Sequence, residues 1–360
     1  MGNIPDAVVV TELSPPKAEA KSVRGIVEGR PSRANATIYD IAKLAGVNPS
    51  TVSRALSKPG RVSVSTRKLI EDAAAELNYQ ANPFAKALPT GRTSTIGLIV
   101  ADVANPTFFG TIRGAESTAA DHGYSVILAE SAESSRKEQS AAQRMLASVD
   151  GLILASPRMR DDHIRQLAEE KPVIVVNRDV EGITCVVPDV EKGLGEGVRH
   201  LAGHGHRRIT FIAGPEASWM SGRRWLGVRQ ACEWSHLESV KLESDSPTIK
   251  GGRAAARAIV GSGASAVIAY NDLLAIGLLQ ELQAAAYAVP DQISIVGFDD
   301  IFGADFTTPG LTTVRAPMET CGIEATSLLL KALKGSEKSA STHYIDTELV
   351  VRGSTGKYLG

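Results

Sequence analysis

Apolar positions change their spacing once along this chain, near residue 95. Before that point they recur at helical intervals. Ile38, Ile41, Ala42 and Ala45 fall at i, i+3, i+4 and i+7 behind Thr37, which suits an N-cap. Gly46-Val47-Asn48 interrupts the period, and Pro49 fits the first turn of a second helix running to Leu56. Lys58-Pro59-Gly60 reads as a loop. Ser65 is placed to cap a third helix with Ile70, Ala73, Ala74 and Leu77 facing inward. Asn82-Pro83 opens a short segment that reaches Leu88-Pro89, and Thr90 to Thr93 reads as a linker.

Beyond it, continuous apolar runs alternate with amphipathic helical patterns. One series comprises Ile96–Val100, Ser125–Leu128, Gly151–Leu154 and Val173–Val176. A second comprises Ile209–Ile212, Ala266–Ala269 and Ile293–Val296. Apolar strands separated by helices predict parallel sheets covered on both faces, and two series predict two doubly wound lobes.

Composition narrows the class. A chain of 360 residues suits two or three domains, and 43% hydrophobic with 22% charged residues describes a soluble globular protein. No apolar run has the length of a membrane span, and the first residues lack the basic start of a secretory signal. Cys185, Cys232 and Cys321 are scattered, which fits reduced thiols in the cytoplasm. Net charge is −1 but unevenly spread: residues 36–92 hold eight basic and four acidic side chains, while residues 93–360 sum to −6. A small basic segment on an acidic body predicts that only the former meets a polyanion. Residues 1–35, with Pro15-Pro16 and no sustained period, read as a disordered tail.

The basic segment has the requirements of a helix-turn-helix. Ala42, Val47, Val52 and Ala55 are small enough for two helices to cross closely, which leaves Pro49, Ser50 and Arg54 projecting. Arginine can fork two donors onto guanine, and Ser50 or Thr51 can reach a base edge or phosphate. In the body, ligands of open α/β sheets bind beyond the carboxyl ends of the strands. The residues there are Asp102, Ser156, Asn177-Arg178, Asn271-Asp272 and Asp299-Asp300, with Phe108, Phe109 or Trp219 able to cover a ring. Asp272 and Asp300 also suit helix caps, and Arg178 suits an ion pair between lobes. Asn, Asp and Arg pair bidentately with vicinal hydroxyls, so the residues favour a sugar, polyol or nucleoside-like ligand.

The run from Thr37 to Leu56, TIYDIAKLAGVNPSTVSRAL, with Val62-Ser-Val-Ser-Thr-Arg67 and Leu77-Asn-Tyr79, closely resembles the headpiece of the lactose-repressor (LacI/GalR) family. The resemblance runs from about residue 36 to the end. It implies a small all-α helix-turn-helix headpiece joined to an α/β periplasmic-binding-protein-like body of two lobes. It implies DNA contacts at Thr37, Tyr39, Ser53, Arg61, Tyr79 and Asn82 besides Pro49, Ser50, Thr51 and Arg54. Leu88 matches a hinge leucine that wedges into the minor groove. In the body, Asn177, Arg224, Asn271 and Asp299 match ligand-contacting positions, and Phe108 and Phe109 lie in the first contact loop. An aromatic contact expected near Pro247-Thr248 is missing.

The expected division is a tail at 1–35, a DNA-binding domain at 36–81, a hinge and linker at 82–94, and an effector and dimerisation domain at 95–360. Its first lobe is expected to span about 95–188 and 315–341, its second 189–314 and 342–360. The expected function is a cytoplasmic, nucleoid-associated transcription repressor. It works as a homodimer on palindromic operator DNA under control of a sugar or polyol effector, with no cofactor and no membrane. An enzyme and a secreted sugar-binding protein are the rival classes. No nucleophile elbow, P-loop or HExxH occurs. His200, His204 and His206 suggest a metal, but helix-end histidines are also favoured by the helix dipole.

Overall fold

The computed structural model describes residues 36–57, 59–79, 92–335 and 339–359. They fall into two compact units, divided between Ala81 and Asn82.

In the first unit, helix α1 (Ile38–Ala45) begins with a reciprocal capping box. The Asp40 carboxylate accepts from the Thr37 amide at 2.8 Å and its hydroxyl at 2.7 Å, and the Thr37 oxygen accepts from the Asp40 amide. Those bonds hold the Asp40 carboxyl below its ordinary range. The helix stops at Gly46, whose φ of 66° is left-handed and costs glycine little. Helix α2 (Pro49–Ser57) starts on a proline, whose missing N–H would have had no partner in a first turn. A 3-10 turn over Pro59–Arg61 leads to helix α3 (Val64–Glu76). Its cap is Ser63 rather than Ser65: the Ser63 oxygen accepts from the Thr66 amide at 3.2 Å, while Ser65 lies inside the helix. Ile41, Ala42, Val52, Ala55, Ile70 and Ala73 form the core, with Leu77 and Tyr79 packed at its edge.

The second unit holds two six-stranded sheets. The first lobe contains β1 (Thr95–Val100), α4 (Thr107–Asp121), β2 (Ser125–Glu130), α5 (Ser135–Leu146), β3 (Gly151–Ala155), α6 (Asp161–Glu170), β4 (Val173–Val176) and β5 (Thr184–Asp189). The second contains α7 (Val190–Gly203), β6 (Arg208–Ile212), α8 (Trp219–Trp234), β7 (Glu238–Leu242), α9 (Ile249–Gly261), β8 (Ala266–Ala269), α10 (Asp272–Ala284), β9 (Ser294–Asp299) and β10 (Thr312–Arg315). The chain then returns to the first lobe with α11 (Met318–Leu333) and β11 (Thr342–Asp346), and ends in the second with β12 (Glu348–Val350). Strand orders are β11-β5-β4-β3-β1-β2, all parallel, and β12-β10-β9-β8-β6-β7, parallel except that β12 runs antiparallel to β10. All seven apolar runs are strands, so the two doubly wound lobes follow from the sequence pattern.

The chain thus crosses between lobes three times, and one crossing differs from expectation. Residues 342–346 stay in the first sheet, where β11 pairs with β5, past the boundary expected at 341. This edge strand has no apolar run to announce it. Thr347, the single residue between β11 and β12, is buried and ties the crossings together. Its hydroxyl donates to the Asp189 carbonyl at 2.5 Å and accepts from the Gly193 amide at 3.0 Å. Helices α4 and α11 meet at backbone contact, since a Cβ on Gly114 would lie 2.2 Å from the Glu319 carbonyl oxygen.

The three histidines serve the second lobe's structure. His200 Nε2 bonds to the Thr355 hydroxyl at 2.8 Å, and His206 sits between the Ser265 and Ser294 hydroxyls. Among the described residues, no group of His, Cys, Asp or Glu is arranged to hold a metal ion, and no helix is long and apolar enough to cross a membrane. The three cysteines are buried and unbridged.

Candidate functional site

On the first unit, α2 exposes Ser50, Ser53 and Arg54, with Pro49 and Thr51 half-buried beside them. The opposite side of that helix is fixed by Val52 and Ala55 in the core, so the exposed set shares the outer face. Tyr39 on α1 is 69% exposed and Arg61 is exposed in the 3-10 turn. Thr37 is held by its capping box, and Tyr79 packs against the core. Asn82 and Leu88 lie outside the described residues.

In the second unit, a crevice opens where the two lobes face each other beyond their strand ends. Asn105, Thr107, Phe108, Glu133, Ser156, Arg158, Asn177, Arg224, Pro247, Tyr270 and Asp299 line it. The crevice is narrow, with a cavity volume of about 20 Å³. Of the eight residues expected at a ligand site, five therefore come together: Phe108, Ser156, Asn177, Arg224 and Asp299. The other three stand aside. Asp102 turns its own loop by accepting from the Ala104 amide at 2.8 Å. Asn271 caps α10 through the Leu274 amide and donates to the Pro247 carbonyl at 2.9 Å. Phe109 is 46% exposed and faces an adjoining groove with Phe302, Arg315 and Met318.

The strand-end residues are aimed by an unusual backbone. Ser156, Asn177 and Asp299 have φ of 56°, 64° and 113°. For residues with a Cβ this costs roughly 1–3 kcal/mol each, and such conformations concentrate at ligand sites. Asp299 accepts from Arg224 Nη2 at 2.8 Å, both side chains being at most 5% exposed. Arg224 also donates through Nη1 to the Tyr270 carbonyl and lies 3.6 Å from the centre of the Phe298 ring. Across the crevice, Asn177 Nδ2 donates to the Ser156 hydroxyl at 2.7 Å. Two buried polar atoms of these residues have no partner among the described residues: Arg224 Nε, a donor, and Asn177 Oδ1, an acceptor.

Six lining residues were not anticipated as ligand contacts: Asn105, Thr107, Glu133, Arg158, Pro247 and Tyr270. Phe108 supplies the aromatic surface expected of it, and Tyr270 adds one that the sequence left unassigned. Trp219 lies elsewhere, beneath the Arg223 guanidinium. Arg178 pairs within its own lobe, with Asp161, and so does not join the lobes. Asp300 caps no helix; it pairs with Arg315 at 2.8 Å and Arg352 at 2.7 Å, and Arg315 reaches Glu348 on the returning crossover at 2.6 Å.

Two stretches of this chain match family models. Residues 37–82 match bacterial regulatory proteins of the lacI family, and residues 198–355 match the periplasmic binding protein-like domain. The HTH-type transcriptional repressor CytR of Escherichia coli K12 is 32% identical over 329 residues, covering 89% of this chain and 96% of CytR. This chain belongs to the lacI family. It is an HTH-type, DNA-binding transcription regulator. Among solved structures, the Lac repressor dimer bound to operator and the anti-inducer ONPF superposes with a TM-score of 0.82 at 26% identity, covering 90% of this chain and 100% of that one. A complex of the transcriptional regulator CelR with cellobiose gives 0.67 at 29% identity, covering 89% and 100%.

Behind the crevice of this lacI-family regulator, Asp272 is fully buried. It accepts from the Thr313 hydroxyl at 2.5 Å and the Ile301 amide at 2.8 Å, and so positions the loop after Asp299. Burial first, then the nearby Asp299 charge, push its carboxyl well above the usual range. The folded state therefore binds a proton that the unfolded chain has released, and Asp272 lowers stability as pH rises from its ordinary 3.8 through its folded pKa. Asp272→Asn, an isostere of the protonated form, is expected to flatten that decline without lowering the melting temperature at neutral pH. Melting curves across a pH series check it, and an unchanged slope would refute the assignment.

Proposed function

We propose that this regulator is a homodimer that places two headpieces on a palindromic operator and represses transcription under control of a small hydroxyl-rich ligand. The ligand, of the sugar or polyol class, sits in the interlobe crevice. The observation that carries the ligand reading is the unpartnered buried pair, Arg224 Nε and Asn177 Oδ1, on opposite sides of that crevice. A buried polar group without a partner costs about 1–3 kcal/mol. A hydroxyl is the group that satisfies both kinds, accepting from one and donating to the other. The CelR–cellobiose complex supports the sugar class, and the operator-bound Lac repressor dimer supports the assembly.

Residues 36–81 read DNA in this proposal, through Ser50, Thr51, Ser53 and Arg54 on α2, with Tyr39 and Arg61 flanking. Residues 95–360 sense the ligand through Phe108, Ser156, Asn177, Arg224 and Asp299. Ligand draws the lobes together, and the crossovers carry that change along the body. Asp300 links the two ends of this path, because it follows Asp299 directly and holds Arg315, which holds Glu348.

The test begins with thermal-shift screening of the full chain against sugars, polyols and nucleosides. A titration then follows, on an operator selected from random duplexes, with and without each compound found. No shift with any member sinks the ligand class, and no duplex preference sinks the DNA reading. On that operator, Arg54→Ala should cost about 1–3 kcal/mol of discrimination against scrambled sequence. Binding should weaken steeply with salt. Discrimination that survives the substitution removes Arg54 from base readout.

A further inference from the structure

We infer that the crevice selects an uncharged ligand, and that the Glu133–Arg158 pair is the element that turns away sugar phosphates and sugar acids. The inference rests on the sugar-class reading above and adds the charge of the ligand to it.

Four charged side chains line the crevice, one pair from each lobe. In the second lobe Arg224 is matched by Asp299 at 2.8 Å; in the first, Arg158 Nε is matched by Glu133 Oε2 at 2.6 Å. Every cation lining the crevice thus has its own carboxylate, and no positive charge is left over for an anion. An anionic ligand that approached Arg158 would meet the Glu133 carboxylate at the same spot. Like charges held that close in a dry site repel strongly.

The Glu133–Arg158 pair is held in place from both ends. Glu133 follows Ala132 in two successive left-handed residues, with φ of 49° and 59°, and its amide donates to the Ala101 carbonyl at 3.0 Å. That backbone turns the carboxylate back over the strand end. Arg158 donates through Nη1 to the Ser156 carbonyl at 2.8 Å, and its own amide donates to buried Glu138 at 2.7 Å. Its side chain is 4% exposed. The hydrogen bonds of the pair engage Arg158 Nε and Nη1 and Glu133 Oε2, so Nη2 and Oε1 can serve a ligand as a donor beside an acceptor. A neutral diol can accept from the one and donate to the other. A phosphate or carboxylate can only accept.

The experiment measures binding of matched probes to the full chain and to Glu133→Gln by calorimetry. The probes are D-ribose with ribose 5-phosphate, D-glucose with glucose 6-phosphate and gluconate, and cellobiose with cellobionate. The native chain is expected to bind at least one neutral probe roughly tenfold or more tighter than its anionic partner. Glu133→Gln frees Arg158 and should shift that ratio toward the anion by about tenfold or more, the difference between a neutral and a charge-assisted hydrogen bond. Circular dichroism and a cooperative melt establish that the variant is folded. Should it not fold, Arg158→Met serves in its place, and is expected to weaken the neutral probe without admitting the anion. A native chain that prefers the anionic member overturns the inference, as does a ratio unmoved by Glu133→Gln. Either result leaves the sugar reading standing, whereas no thermal shift with any member of the sugar, polyol and nucleoside screen, together with failure of every probe here, removes that reading and this inference together.

Discussion

Asp299→Ala is expected to destabilise the body by about 3–5 kcal/mol, because it leaves the Arg224 guanidinium buried without its counter-charge. Both side chains are at most 5% exposed, so water cannot take over from the missing carboxylate. The same substitution removes a lining group of the crevice and should abolish any response of operator binding to ligand. These two effects are separable. The double variant Arg224→Met with Asp299→Leu removes both charges at once and should recover most of the lost stability, since well-packed apolar replacements of buried ion pairs are often neutral. It should remain unresponsive to ligand. Denaturant melts of the three proteins with an operator titration check both halves. If the double variant regains its response, the pair is structural only.

Ile70→Ala should act on the other unit alone. Ile70 is fully buried in a core with six buried apolar side chains among the described residues, and truncating a buried isoleucine costs about 2–5 kcal/mol. A unit of this size has little stability to lose. The expected result is operator binding reduced to the non-specific level, while the melting of the body and its ligand affinity stay unchanged. Calorimetric melting and a ligand titration measure the second part. A body that melts earlier in this variant would show that the two units do not fold independently.

How much of this was legible beforehand depended on burial. Six strands inside the sheets advertise themselves as unbroken apolar runs and were found, and so was the edge strand β2, whose Val126-Ile127-Leu128 run is apolar though largely uncovered. The five that were missed carry a different signature. β7 and β11 lie at sheet edges and are largely uncovered; β12 is a three-residue edge strand. β10 opens on Thr312 and Thr313, fully buried but with their hydroxyls hydrogen-bonded, and threonine pairs do not read as core. β5 ends on Pro188-Asp189, which looks like a turn.

At the crevice, inspecting the strand ends found Ser156 and Asn177 directly after β3 and β4, and Asp299 as the last residue of β9. It missed Glu133 and Arg158 because both stand three residues beyond their strands, brought back by a turned loop. Extending the inspection through each loop would have reached them. Asn271 misled for a related reason: the same side chain that suits a hydroxyl suits a helix cap, and the fold gives it the cap.

The left-handed backbone at Ser156, Asn177 and Asp299 also limits how this sensor can be retuned. Glycine takes that conformation freely and asparagine and aspartate tolerate it better than most, whereas valine, isoleucine, threonine and bulky side chains do not. The three positions therefore admit a short alphabet, and a library that randomises them will return mostly misfolded variants. Phe108 and Arg158 are free of that constraint. New specificities, whether reached by drift or in the laboratory, should accumulate at these two while the three strained positions stay small and polar.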